Sequence, residues 1–138
     1  MATNLALNQS CTASSQYAAK ERANDGNYGT TWIASGNNNQ WWRVDLGSQK
    51  TFNTWKIQIH PSVGFSFVLE ANNDDGVSWG LIVTVPHAVY STLTTFNFVA
   101  VTYRYVRVRF TDNANWSHIY ECELYNITAS KGLFTFIW

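Results

Sequence analysis

WWRVDL at residues 41–46 and WKIQIH at residues 55–60 decide the fold, because each run alternates apolar and polar side chains with a period of two. In the first, Trp42, Val44 and Leu46 share one face while Trp41, Arg43 and Asp45 share the other. In the second, Trp55, Ile57 and Ile59 oppose Lys56, Gln58 and His60. That period sets one face of a β-strand against a core and leaves the other wet. Phe65, Phe67 and Leu69 alternate in the same way with Ser66, Val68 and Glu70, as do Val106, Val108 and Phe110 with Tyr105, Arg107 and Arg109. Further strands are expected at 80–85, 95–101, 121–126 and 133–137, separated by turn-rich segments such as GNYGTT, SGNNNQ and NNDDGVSWG. Helix-period patterning is scarce. Short strands with one apolar face each predict an all-β fold, a two-sheet antiparallel β-sandwich. The apolar tail SKGLFTFIW is expected to add an edge strand.

The bulk numbers suit one such sandwich. The 138 residues fit a single domain spanning 1–138, with 46% hydrophobic, 16% aromatic and 13% charged residues. Nine Lys and Arg balance nine Asp and Glu, so no net field steers the chain toward nucleic acid or anionic lipid, and an uncharged partner is expected. Seven Trp, seven Tyr and eight Phe exceed the needs of a core this size, and rings left at a surface suit sugar faces, proteins or membrane interfaces. No apolar run is long enough to span a bilayer, and MATNLALNQS lacks the basic and apolar segments of a signal peptide. Cys11 and Cys122 have no CxxC partner; two buried thiols and a bridge between strands are both open readings.

The most specific stretch is ERANDGNYGTTW, residues 21–32, taken with IYECELY, residues 119–125. NLALNQS, QWWRVDLG, DDGVSWG and RYVRVRF follow in order along nearly the whole chain. On these landmarks the sequence resembles the coagulation factor 5/8 C-type, or discoidin, family, and within it the bacterial family 32 carbohydrate-binding modules. The resemblance implies a structural Ca²⁺ held by the carbonyls of Arg22 and Asn27, the Asp25 carboxylate, the Thr30 carbonyl and hydroxyl, the Tyr120 carbonyl and the Glu121 carboxylate. Calcium takes six to eight oxygens, and turn carbonyls completed by carboxylates supply them. Otherwise Asp25-Gly26 is a tight turn and Glu121 a solvated strand residue.

The resemblance also implies a ligand on loops at one end of the sandwich, where a ring stacks on a sugar and polar side chains bond its hydroxyls. Two loops qualify. IHPSVGFSF offers His60 and Phe65, and TDNANWSHIY offers Asn113, Asn115, Trp116 and His118. Galactose-binding members carry a His followed by an Asn-Gly-Arg-type segment; here Gly64-Phe65-Ser66-Phe67 stands in its place and the arginine is absent.

No GxSxG, HExxH or phosphate-cradling glycine loop is present, so no enzyme is expected. The function implied is a non-catalytic carbohydrate-binding module, secreted or at the cell surface, that brings an attached glycoside-active enzyme to a neutral polysaccharide or glycan. The alternative is a lipid- or protein-binding adhesion domain, which ordinarily rings apolar loop tips with basic residues; these loops carry almost none.

Overall fold

The computed structural model describes residues 2–75, 78–112 and 115–128. Its elements in chain order are β1 (Cys11–Ala13), a short 3-10 helix (Lys20–Ala23), β2 (Trp32–Ile33), β3 (Trp41–Ile59), β4 (Phe65–Asn72), β5 (Gly80–Ala88), β6 (Thr94–Phe110) and β7 (His118–Tyr125). The strand expected at 133–137 lies outside the described residues.

The two runs that reveal the fold belong to one strand. β3 continues through residues 46–50, where Gly47 takes a left-handed φ of +86° and the register against β6 shifts between Asp45 and Lys50. A glycine adopts that conformation at little steric cost, and the irregularity lets the strand turn without losing pairing on either side. The stretches 95–101 and 105–110 likewise merge into β6.

Both long strands therefore serve two layers. The first arm of β3 pairs with β1 and with the second half of β6, and β4 and β5 extend that layer. The second arm of β3 pairs with the first half of β6 and with β7, which carries β2 on its far edge. All these pairings are antiparallel. The two layers close into a β-sandwich.

Side chains from the inner faces fill the space between. Trp42, Val44, Phe67, Leu69, Val106, Val108 and Phe110 from one layer meet Trp55, Ile57, Ile59, Ile119, Cys122 and Leu124 from the other, all buried. Trp55 packs edge-on against Phe67 at 5.8 Å and stacks on Phe96 at 5.1 Å. Burying each such ring contributes about 1.5–3 kcal/mol. The indole N–H groups of Trp32 and Trp42 donate to the carbonyls of Ser15 (2.9 Å) and Lys20 (3.0 Å), which ties the segment between β1 and β2 to the core. Cys11 and Cys122 are free thiols; burial pushes the first up to about 11 and the second up to about 12.

On the outer face, Arg107 and Arg109 are committed to Glu70. That carboxylate is 7% exposed and accepts hydrogen bonds from both guanidinium groups at 2.8–3.1 Å, while Arg107 also lies over the Trp79 ring at 4.2 Å. Burial pushes Glu70 up, but the bonds from Arg109 and Arg107 outweigh it and hold the group below the usual carboxylate range.

Candidate functional site

Strand register brings the loop residues together. Ile59 of β3 pairs with Ile119 of β7, so the residues one step outward, His60 and His118, become neighbours at the end of the sandwich. Their rings meet edge to face at 4.9 Å. β4 begins there with Phe65, and β6 ends there with Phe110. A cavity of about 410 Å³ opens at this end, lined by Asn37, His60, Val63, Phe65, Asn115, Trp116 and His118.

The expected contact residues fare differently within it. His60, Asn115, Trp116 and His118 all line the cavity. Phe65 lines it too, but with its ring 1% exposed and packed edge-on against Phe110 at 5.3 Å it belongs to the core wall, which corrects the expectation that it presents a free face to a ligand. The cause is phase: Phe65 shares the inward face of β4 with Phe67 and Leu69. Asn113 lies outside the described residues. Trp116 is 43% exposed and meets the Tyr17 ring at 5.5 Å, Tyr17 itself being 72% exposed. Two indole and phenol faces thus stand on the rim.

Sequence reasoning missed Asn37, Val63 and the pairing of Tyr17 with Trp116. Asn37 is one of three consecutive asparagines, and nothing in that run distinguishes the one that faces the cavity.

Hydrogen bonds fix the loops. The His60 Nδ1 accepts the Ser62 backbone N–H at 3.1 Å, and the His118 Nδ1 donates to the Trp116 carbonyl at 2.9 Å. Burial is the main cause that holds His118 below the ordinary histidine range. Asp112, at the root of the loop that carries Asn115 and Trp116, accepts from the Ser66 N–H at 2.8 Å and from His87 Nδ1 at 2.5 Å. Thr111 adds an N–H bond to the Ser66 carbonyl at 2.9 Å. The ends of β4, β5 and β6 are thereby locked together beneath the rim.

The Asp25 loop forms a second polar centre. The 3-10 helix containing Arg22 leads into it, and Gly26 takes a φ of +78° that an L side chain rarely adopts. The Asn27 N–H bonds Asp25 Oδ1 at 2.9 Å, while the Thr30 hydroxyl lies 3.3 Å from both Asp25 Oδ2 and the Asn27 carbonyl. The Asn24 amide clasps the N-terminal turn through the Ala6 and Gln9 carbonyls, at 2.8 and 2.9 Å. From β7, where Tyr120 precedes it, the fully buried Glu121 reaches this loop and accepts the Gly26 N–H at Oε1, 3.1 Å away.

The other oxygen of Glu121, Oε2, is buried without a hydrogen-bond partner. Burial, with the nearby carboxylates of Asp25 and Glu123, pushes the group up to about 8 against the pull of the Gly26 N–H. Glu123 is itself occupied by the hydroxyls of Tyr28 and Tyr125. Among the described residues no group of three or more His, Cys, Asp or Glu is arranged to hold a metal, so a cation at this loop would rely on carbonyl and hydroxyl oxygens beside two carboxylates. An all-oxygen set with an orphaned buried carboxylate oxygen fits a hard cation such as Ca²⁺. Glu121, expected as either a ligand or a solvated strand residue, is not solvated.

Comparisons with known proteins agree on the architecture. The family model described as F5/8 type C domain matches residues 7–123. Chitosan-binding module 1 from a chitosanase/glucanase of Paenibacillus sp. IK-5 is 32% identical with a TM-score of 0.81, over 90% of this chain and 99% of that one. Module 2 of the same enzyme, solved with chitotriose, is 26% identical with a TM-score of 0.80, over 89% and 100%. The CBM32 of AlyQ, in complex with 4,5-unsaturated mannuronic acid, is 28% identical with a TM-score of 0.74, over 86% and 95%. The comparison with curated proteins found no match. Among the described residues no helix is long and apolar enough to cross a membrane.

Proposed function

The chain belongs to the F5/8 type C domain family, and on that premise we propose that it is a non-catalytic carbohydrate-binding module. The observation that carries this reading is the cavity at the end of the sandwich, where Trp116 stands half-exposed beside two histidines and two asparagines. A pyranose has axial C–H groups that pack on an indole face and hydroxyls that need directional partners, and this lining offers both. None of the described residues around the cavity is Asp, Glu, Lys or Arg. Such a surface suits a neutral polysaccharide or glycan and gives no purchase to lipid phosphates.

Asp25 and Glu121, with the carbonyls of Arg22, Asn27 and Tyr120 and both oxygens of Thr30, would hold a structural Ca²⁺. Bound there, the ion would supply the charge that Glu121 Oε2 lacks and pin the Asp25 loop to β7. It takes no part in sugar recognition. The parent protein is a secreted or surface carbohydrate-active enzyme, and the module keeps its catalytic domain near the substrate. The chitosan-binding modules it resembles derive from a chitosanase/glucanase.

A shallow site of this size binds with a Kd of roughly 10 μM to 1 mM, about 4–7 kcal/mol, and tethering multiplies it. Trp116→Ala tests the reading by affinity electrophoresis in gels cast with neutral polysaccharides. Retardation of the parent domain that disappears in the variant, at an unchanged melting temperature, supports it. Equal retardation of both places the ligand elsewhere.

A further inference from the structure

The two histidines of the cavity differ in which nitrogen carries the proton. The Ser62 N–H, 3.1 Å from His60 Nδ1, can only donate, so Nδ1 is the acceptor and the proton of a neutral ring sits on Nε2. The Trp116 carbonyl, 2.9 Å from His118 Nδ1, can only accept, so there Nδ1 carries the proton and Nε2 keeps its lone pair. Each ring therefore has one nitrogen outside its loop hydrogen bond, and the two are of opposite polarity: a donor on His60 and an acceptor on His118. Register holds the ring centroids 4.9 Å apart, and both rings line the same cavity. The other polar side chains of the lining, Asn37 and Asn115, can each donate and accept and impose no such order.

Building on the carbohydrate-binding reading, we infer that His60 and His118 read two adjacent hydroxyls of an uncharged sugar unit, His60 donating from Nε2 and His118 accepting at Nε2. A hydroxyl gives and takes a hydrogen bond, so a vicinal diol satisfies both nitrogens at once. An ammonium only donates and can face only His118, and a carboxylate only accepts and can face only His60, so polarity restricts an ion to one of the two positions while a hydroxyl fits either. Either ion also leaves water for a lining that holds no counter-charge among its described residues. The site thus selects against amino sugars and uronic acids, although relatives of this chain are chitosan-binding modules and a module solved with a mannuronic acid.

Imidazole nitrogen chemical shifts of the ¹⁵N-labelled domain test this, recorded alone and during titration with three probe sets: galactose, mannose and glucose oligosaccharides; a glucosamine trimer; and a mannuronate trimer. The expected result is an Nε2–H tautomer for His60, an Nδ1–H tautomer for His118, and movement of both Nε2 signals with at least one neutral sugar. The charged probes should bind about tenfold more weakly or worse. His60→Ala should lose about tenfold in affinity, while His60→Gln, which keeps an N–H donor, should stay within about threefold of the parent. Reversed tautomers, or a charged trimer that binds as well as the neutral ones, would overturn the inference and leave carbohydrate binding standing. No saturable binding by any probe, from a domain whose amide spectrum shows it folded, would remove the carbohydrate reading and this inference with it.

Discussion

Chelation of the proposed calcium should make the stability of this domain depend on pH in a direction set by Glu121. In the metal-free protein the carboxyl titrates at about 8 rather than 4.5, because it is buried beside Asp25 and Glu123. A group with a raised native value contributes its stability fully below its unfolded value and loses it as the pH climbs through the native one. The contribution of Glu121 to the metal-free domain is therefore full below about pH 4.5 and is lost as the pH rises to about 8. The full displacement corresponds to about 4–5 kcal/mol at 1.36 kcal/mol per decade, a ceiling that water entry and relaxation of the exposed Asp25 loop reduce to about 2–3 kcal/mol. For a domain of this size that is a fall in melting temperature of roughly 6–12 °C. The assay is calorimetry at pH 5 and pH 8, with EDTA or with millimolar CaCl₂. EDTA should cost little at pH 5 and the full amount at pH 8, and calcium should restore it. Glu121→Gln keeps the shape and removes the charge, so its metal-free form should be flat across this range and indifferent to calcium. If the parent melts at one temperature with EDTA and calcium at pH 8, and Glu121→Gln melts lower than both, the cation and the argument built on the orphaned oxygen are refuted.

Three other outcomes follow from the geometry. Glu70 is held below the usual carboxylate range, so the stability it contributes is present above about pH 4.5 and disappears as the pH falls through its lower native value; Glu70→Gln should lose about 3 kcal/mol at pH 7, by leaving Arg107 and Arg109 without their anion, and show a shallower acid limb in urea denaturation. Asp112→Ala should cost about 1–3 kcal/mol by stranding the Ser66 N–H and His87, and should weaken any bound glycan, because the loop bearing Asn115 and Trp116 loses its root; calorimetric titration beside a thermal melt separates the two effects. Tyr17→Ala should leave the melting temperature within about 1 °C, since the ring is mostly exposed, and should weaken long oligosaccharides more than monosaccharides if the rim continues the site.

Much of the fold is written in alternation. The inward sets Trp42-Val44-Leu46, Trp55-Ile57-Ile59, Phe65-Phe67-Leu69 and Val106-Val108-Phe110 are all buried as their phase requires. A period of two is a local property, since each residue's face follows from its neighbours along one strand. Two runs on a single bent strand look from sequence like two separate strands, because the turn at Gly47 keeps the pattern on both sides and only the pairing with β6 reveals the continuity.

The site divides along the same line. The sequence by itself determined the class of the molecule, the two loops and the residue types that could face a sugar, since composition, phase and ordered motifs are carried by the chain. Tertiary structure alone decided that Asn37 and Tyr17 join the rim, that Arg107 and Arg109 are spent on Glu70, and that His60 meets His118. The last two depend on register between strands distant in sequence, where a one-residue slip would move the paired side chains to the opposite face, and the first depends on how separate loops meet at one end of the sandwich.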